Sequence, residues 1–290
     1  ARNFPGLNFS RDEFSAGVTG AHKAGRKIYV AINTYPKAGD PGPWRRAVDD
    51  AAVLGADAII VADVGLLEYA AKTYPDLRRH LSVQASASNA ESIGFFQREF
   101  GVQRVVLPRV LTVNEVRDLT RDISVETEVF AFGGMCVMAE GRCQLSSYIT
   151  GRSPNLDGVC SPADAVRYEP RGDRMACTLG GYTLDVVAKD EPAGYPTLCK
   201  GRFQAKGSAS YLFEEPTSLD AMALLPDLAN AGVTAIKIEG RQRGRAYVSR
   251  VVSAFRAALD GANSNVDPAN LDDVSEGMRG TSGAYRKVWQ

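Results

Sequence analysis

Short apolar runs and helix-period stripes alternate along the first half of the chain. Lys27–Asn33 (KIYVAIN) is rich in β-branched residues and reads as a strand. A Pro- and Gly-rich loop follows, and Ala47, Val48, Ala51 and Leu54 then make one stripe of a helix over about Trp44–Leu54, with Gly55 as its stop. Ala58–Ala62 is the second strand, ending at Asp63, and Leu66, Leu67, Tyr69 and Ala70 mark the next helix. Leu81–Ala85 reads as a third strand, with Ser88 and Asn89 as N-cap candidates for the helix through Phe96. Val105–Leu107 is a fourth strand, followed by Thr112 as a cap, and Glu128–Phe132 is a fifth.

The rhythm breaks between Gly133 and Phe213, where periodicity is weak and Gly and Pro are frequent. It resumes with a helix over about Ser218–Asn230, a strand at Ala235–Ile238 and a helix over about Ala246–Leu259, before a polar tail from about 263 to 290. Strand–helix alternation of this kind implies parallel strands with right-handed crossovers, and nearly all-apolar strands imply burial on both faces. No G-x-G-x-x-G stands at a strand–helix turn, so a dinucleotide-binding sheet loses its usual support. The expectation is an α/β, TIM-like (β/α) barrel over residues 1–262, with an insertion at 133–213 on its C-terminal face, where barrel chemistry sits.

Charge narrows the partners. Lys plus Arg and Asp plus Glu number 34 each, which argues mildly against nucleic acid and draws the chain to no anionic membrane. The longest apolar runs are too short to span a bilayer, and no stretch reads as a signal peptide. Five cysteines, an odd number, argue against a fully paired disulfide framework and favour a cytoplasmic protein with reduced thiols.

All five thiols fall in the irregular segment: Cys136, Cys143, Cys160, Cys177 and Cys199. None forms the close C-x2-C pair on which zinc ribbons and fingers are usually built, and neither histidine, His22 nor His80, lies near them. Iron–sulfur clusters also take four thiolates, with looser spacing when a folded domain positions them. Spacing alone leaves iron, zinc and inert buried thiols open.

The segments FGGMCVMAEGRCQLSSYITGRSPNLDGVCSPA, AGYPTLCKGR and IKIEGRQRGRAYVSRVVSAFRAALD resemble the collagenase-like peptidase family U-thirty-two, as do ARNFPGLNFS, VAINT, SVQAS, VVLPRVL, EEPTSL and GAYRKVWQ. The resemblance covers nearly the whole chain and is nearest to the family's ubiquinone-biosynthesis branch. It implies a [4Fe–4S] cluster on Cys136, Cys143, Cys160 and Cys199; Cys177 does not match the pattern. It also implies an oxygen-independent hydroxylase of ubiquinone precursors, with prephenate as oxygen donor and a homologous partner subunit, UbiV, in a heterodimer. Other branches imply hydroxylation of a base in tRNA or rRNA, and the family name implies a peptidase. No G-x-S-x-G or H-E-x-x-H supports the last, and a non-catalytic metal scaffold is the remaining alternative. Family members carry two further strands upstream of ARNFPGLNFS; with the six strands read here they make the eight of a closed barrel, so the chain is expected to lack the barrel's first strands.

Barrel logic places substrate contacts at the C-terminal strand ends: Asn33, Asp63, Gln84, Arg109 and the run Lys237 to Arg241. Gln84, Arg109, Glu239 and Arg241 are the chosen candidates, because a guanidinium can grip a carboxylate such as prephenate bidentately. The alternative is that Lys237, Glu239 and Arg241 brace the last strand as ion pairs. His80 reads as structural.

Overall fold

The computed structural model describes residues 9–138, 143–240, 243–261 and 271–287. Its helices begin and end where side chains or turns satisfy their terminal groups. Ser10 and Glu13 form a capping box at the start of α1 (Arg11–Lys23). After β1 (Tyr29–Ile32), α2 (Gly42–Val53) runs to Gly55, whose φ of 83° turns the chain into β2 (Ala58–Val61). Asp63 caps α3 (Val64–Thr73) through Leu66 N, and Asn89 caps α4 (Ala90–Phe100) through Ser92 N. Between these two helices lies β3 (Arg79–Leu81). Strand β4 (Arg104–Val106) leads to α5 (Val113–Asp122), which opens on a Thr112–Glu115 capping box.

Strand β3 is shorter than its sequence predicts. It stops at Leu81, because the Ser82 hydroxyl accepts from Gln84 N and starts a 3-10 turn at Val83–Ala85, closed by Ser86 at φ 55°. The strand-like alternation of apolar and polar residues continues through Ala85, but its hydrogen bonding becomes local.

Strand β5 (Glu126–Gly134) is the longest strand, and Thr127–Gly133 are all buried. It pairs in parallel with β4 along its first residues and with β12 (Ala235–Ile238) along its middle. Its last residues pair with β11 (Ser218–Asp220), which runs antiparallel. A helix was expected from Ser218; β11 forms instead because Ser218 N donates to Arg279 O and Ala221 N to Ala131 O. The helix α8 (Leu225–Asn230) starts only after a 3-10 turn at Met222–Leu224. Beyond α9 (Arg245–Leu259), β13 (Gly280–Thr281) adds to β11, so the described part of the tail belongs to the sheet.

The parallel strands stand in the order β1-β2-β3-β4-β5-β12. Among the described residues β1 pairs only with β2 and β12 only with β5, so the expected α/β parallel sheet is present but open, and these residues close no barrel. One face, with Ile59, Val61, Leu81, Val105, Val129 and Ala131, joins the main core with α2 to α5 and α9. The other face is polar at the N-terminal ends of the strands. There Arg104 bonds Glu126 and Glu128, Lys237 bonds Glu128 at 2.6 Å, and Arg78 bonds Glu126. A two-faced sheet of this kind departs from the uniformly apolar strands that the sequence suggests.

Within 135–217 the chain builds a smaller layer. Helices α6 (Gln144–Thr150) and α7 (Pro154–Asp157) precede an antiparallel meander of β6 (Val166–Arg171), β7 (Arg174–Leu179) and β8 (Tyr182–Ala188). A hairpin of β9 (Arg202–Ala205) and β10 (Ser208–Tyr211) follows. Val166, Leu179 and Leu184 make a satellite core that packs Ile149 of α6 and Leu198. No helix among the described residues is long and apolar enough to cross a membrane.

His80 sits in the polar face, fully buried, and accepts from Arg78 Nε at 3.0 Å. Burial, reinforced by Arg104 and Arg78, pushes its pKa down to about 4. As pH falls below the unfolded value of about 6.5, the unfolded chain binds a proton that the folded chain refuses, so stability declines until about pH 4. Urea unfolding across that window is expected to show a loss of up to about 3 kcal/mol that a His80→Gln variant does not share. An equal slope in both proteins would refute this account of His80.

Candidate functional site

The C-terminal ends of β1, β3, β4, β5 and β12 open on one side, and the cysteine segment leaves the sheet from there. Cys136 follows β5 by two residues, and Cys143 is the N-cap residue of α6. Cys199 lies on a 3-10 turn, Leu198–Lys200. The satellite core fixes two of these positions, since Ile149 anchors the helix after Cys143 and Leu198 precedes Cys199. Cross-links fix the others. Ser161, next to Cys160, donates to Pro196 O, and Tyr195 OH donates to Ser161 O, which ties the Cys160 loop to the Cys199 loop. The buried Lys200–Glu276 ion pair fastens the Cys199 turn to the C-terminal segment.

Electrostatics sort the five thiols into four and one. None is in a disulfide. Cys160 is exposed as a residue, yet its sulfur stands in dense surroundings that push its pKa up to about 12, and Cys199, Cys136 and Cys143 push it further the same way. The Cys199 thiol is pushed up to about 11, first by burial; Cys136 and Cys143 raise it, while Lys200 and the nearby Thr197 hydroxyl oppose them. Each thiolate thus disfavours the others. Cys177 stands apart on β7: buried, with its pKa raised by burial and Asp185 and lowered by Arg202. Four crowded thiols resist ionising together unless a cation supplies the balancing charge. Among the described residues no three His, Cys, Asp or Glu side chains gather closely enough to grip a single metal ion.

The chosen polar candidates divide. Arg109 and Glu239 meet: Arg109 Nη2 donates to Glu239 Oε2 at 2.9 Å, and the guanidinium lies 3.4 Å from the Phe130 ring centroid. The Arg109 side chain is 7% exposed and Glu239 is far more open, so the carboxylate faces the accessible side. Gln84 is buried, at 1% exposure, on the 3-10 turn after β3. Arg241 lies outside the described residues. Lys237 serves the structural reading, paired with Glu128 on the polar face, and Asp63 is spent on capping α3.

Three contributors were missed in the sequence. Tyr285, in the C-terminal segment, donates to Phe130 O at 2.7 Å beneath Arg109, and burial drives its hydroxyl pKa strongly upward. Tyr35 donates to Gln84 O at 2.8 Å and, through its backbone N–H, to Asn155 O at 3.0 Å. Asn155 is the third. None carries a local signal, because each acts through a contact made only by the folded chain.

The model of peptidase family U32 matches residues 1–285. The chain belongs to this family. It is 31% identical over 272 residues to tRNA hydroxylation protein P of Escherichia coli (strain K12), covering 88% of this chain and 60% of that protein. It is also 31% identical over 240 residues to the 23S rRNA 5-hydroxycytidine synthase of the same strain, covering 83% and 32%. A collagenase of Porphyromonas gingivalis is 28% identical over 264 residues, covering 87% and 56%. The chain spans little more than half the length of the tRNA hydroxylation proteins it matches. The solved structure of a U32 peptidase is similar with a TM-score of 0.36 and 23% identity, over 42% of this chain and 52% of that one.

Gly133 lets this site form. Its φ is +139°, and a Cβ there would stand 2.5 Å from Glu239 Cβ. A Gly133→Ala substitution is therefore expected to displace Glu239 and cost about 2 to 4 kcal/mol in urea unfolding, from backbone strain and overpacking together. Gly134→Ala, with open space around the added methyl, is the matched control and should cost well under about 1 kcal/mol. Equal losses would show that the close approach of β12 to β5 is not what demands glycine.

Proposed function

We propose that this chain forms the cluster-binding and substrate-holding part of an oxygen-independent hydroxylase acting on a base in tRNA or rRNA. The observation that carries the reading is the gathering of four mutually repelling thiols at the same sheet end as the Arg109–Glu239 pair, in a chain whose relatives bear the names of RNA hydroxylation proteins. The donor set fits a [4Fe–4S] cluster on Cys136, Cys143, Cys160 and Cys199. Four thiols, none of them in a disulfide, are the donor type that such clusters take. When bound, such a cluster supplies electron transfer. On the substrate side stands the Arg109–Glu239 pair, Arg109 stacked on Phe130 and Glu239 the more open partner; a carboxylate-bearing oxygen donor such as prephenate would take the guanidinium by displacing Glu239.

The ubiquinone-precursor expectation, with UbiV as partner, draws no support from the names of these relatives, whereas the RNA-base alternative does. The neutral charge balance that counted against RNA belongs to a chain spanning only part of those proteins' length. The peptidase reading rests on a collagenase relative. Within this chain His22 is engaged by Asp57 and His80 by Arg78, which leaves neither histidine placed as the base of a nucleophile.

Nucleosides from the RNA of cells with and without the gene, separated and weighed by mass spectrometry, test the proposal. One pyrimidine nucleoside gaining a single oxygen should disappear on deletion and return with the wild-type gene, but not with Cys160→Ala. Unchanged RNA with accumulation of an unhydroxylated quinone precursor would overturn it in favour of the ubiquinone reading.

A further inference from the structure

One enclosed ion pair stands beside the thiols. Lys200 follows Cys199 on the same 3-10 turn, and its ammonium bonds the Glu276 carboxylate of the C-terminal segment. The two side chains are only 5% and 11% exposed, so little water screens the pair. Arg243 Nη2 stands 3.9 Å from the other Glu276 oxygen, at the more open side.

Both members are fixed from the backbone outward. Lys200 N bonds Thr197 O and Gly201 N bonds Leu198 O, which closes the turn, and the Cys199 carbonyl accepts from Glu214 N. Glu276 N donates to Ser218 Oγ at the start of β11, at 2.9 Å. Arg279 N donates to Glu276 O, and Arg279 O accepts from Ser218 N, so the sheet holds the Glu276 turn on both sides. Stability alone is a weak reason for such a pair. Removing two charges from water costs about what their attraction returns, and apolar replacements of similar volume are often neutral. An enclosed pair does supply a field of fixed direction. Its cation belongs to the residue next to Cys199 and favours that thiolate, whereas its anion enters from the C-terminal segment.

We infer that the Lys200–Glu276 pair tunes the reduction potential of the iron–sulfur centre, Lys200 favouring the reduced state and Glu276 holding that effect in check. A cluster on four thiolates is anionic, and the electron it accepts adds one more negative charge. A nearby cation stabilises the added charge, a nearby anion opposes it, and the potentials of such clusters follow local charge. Both residues act through the field at Cys199. The inference rests on the proposed four-thiol cluster and names what sets its potential.

The test is a one-electron redox titration of the whole chain purified without oxygen. Dithionite is the reductant, the paramagnetic signal of the reduced cluster is the readout, and iron and sulfide are counted on the same samples. Glu276→Gln leaves the Lys200 cation unopposed and should favour reduction about tenfold, which raises the midpoint by about 59 mV. Lys200→Gln leaves the anion and should lower the midpoint by a similar amount. The double variant, with neither charge, should lie between the two. Opposite signs are the signature, because lost packing alone moves both variants the same way or empties both of iron. Where one single variant loses its cluster, the sign of the other, read against the double variant, decides. Shifts of one sign, unmoved midpoints, or loss of the cluster from the double variant overturn the inference and leave the cluster assignment standing. A wild type without iron and sulfide overturns the cluster itself, and this inference with it.

Discussion

Everything at the functional end of the molecule depends on β5. It is the one strand with three neighbours, β4, β12 and β11, and its seven consecutive buried residues tie the helix-covered core to the polar face. The strand outruns β4, and the chain passes Gly133 within contact of Glu239 before reaching Cys136. One continuous strand therefore sets the position of the Arg109–Glu239 pair and of the first thiol. The β5–β12 register shifts between Lys237 and Ile238, where β5 carries an extra residue, Ala131, and Glu239 N still bonds Phe132 O.

The sheet end and the smaller layer are joined by specific contacts rather than by a shared apolar core. Tyr35 reaches Asn155 and Lys200 reaches Glu276, each bond linking segments far apart in sequence. The satellite core of Val166, Leu179 and Leu184 is small, so these polar ties carry much of the burden of holding the thiols over the strand ends. Buried polar ties fix one arrangement only when their members are satisfied.

Much of the scaffold is legible in the sequence. Apolar runs locate β1, β2, β4, β5 and β12 to within a few residues, and Asn89 and Thr112 cap the helices their side-chain chemistry favours. The misreadings have local causes. Leu81–Ala85 alternates apolar and polar residues as a strand would, so periodicity could not reveal that the Ser82 hydroxyl ends the ladder after Leu81. Ser218–Asp220 precedes a helical stripe and joins the sheet only because Arg279, far along the chain, offers its carbonyl. A barrel lacking its first strands was inferred from a strand count; the described residues form the parallel sheet without any pairing of β1 to the far edge. At the site, Arg109 and Glu239 were visible as charged residues at strand ends, but their partnership was not. The separation of Cys177 came from a motif resemblance; in the fold Cys177 lies on β7, in register with Asp185.

The central claim is that four thiols, and not the fifth, surround one iron–sulfur centre. Iron and acid-labile sulfide, counted per chain on protein purified without oxygen, test it most directly when wild type, Cys199→Ala and Cys177→Ser are compared. The account predicts about four irons and four sulfides in wild type and Cys177→Ser, with both lost in Cys199→Ala. One zinc without sulfide in the wild type, or loss of iron in Cys177→Ser, would contradict it.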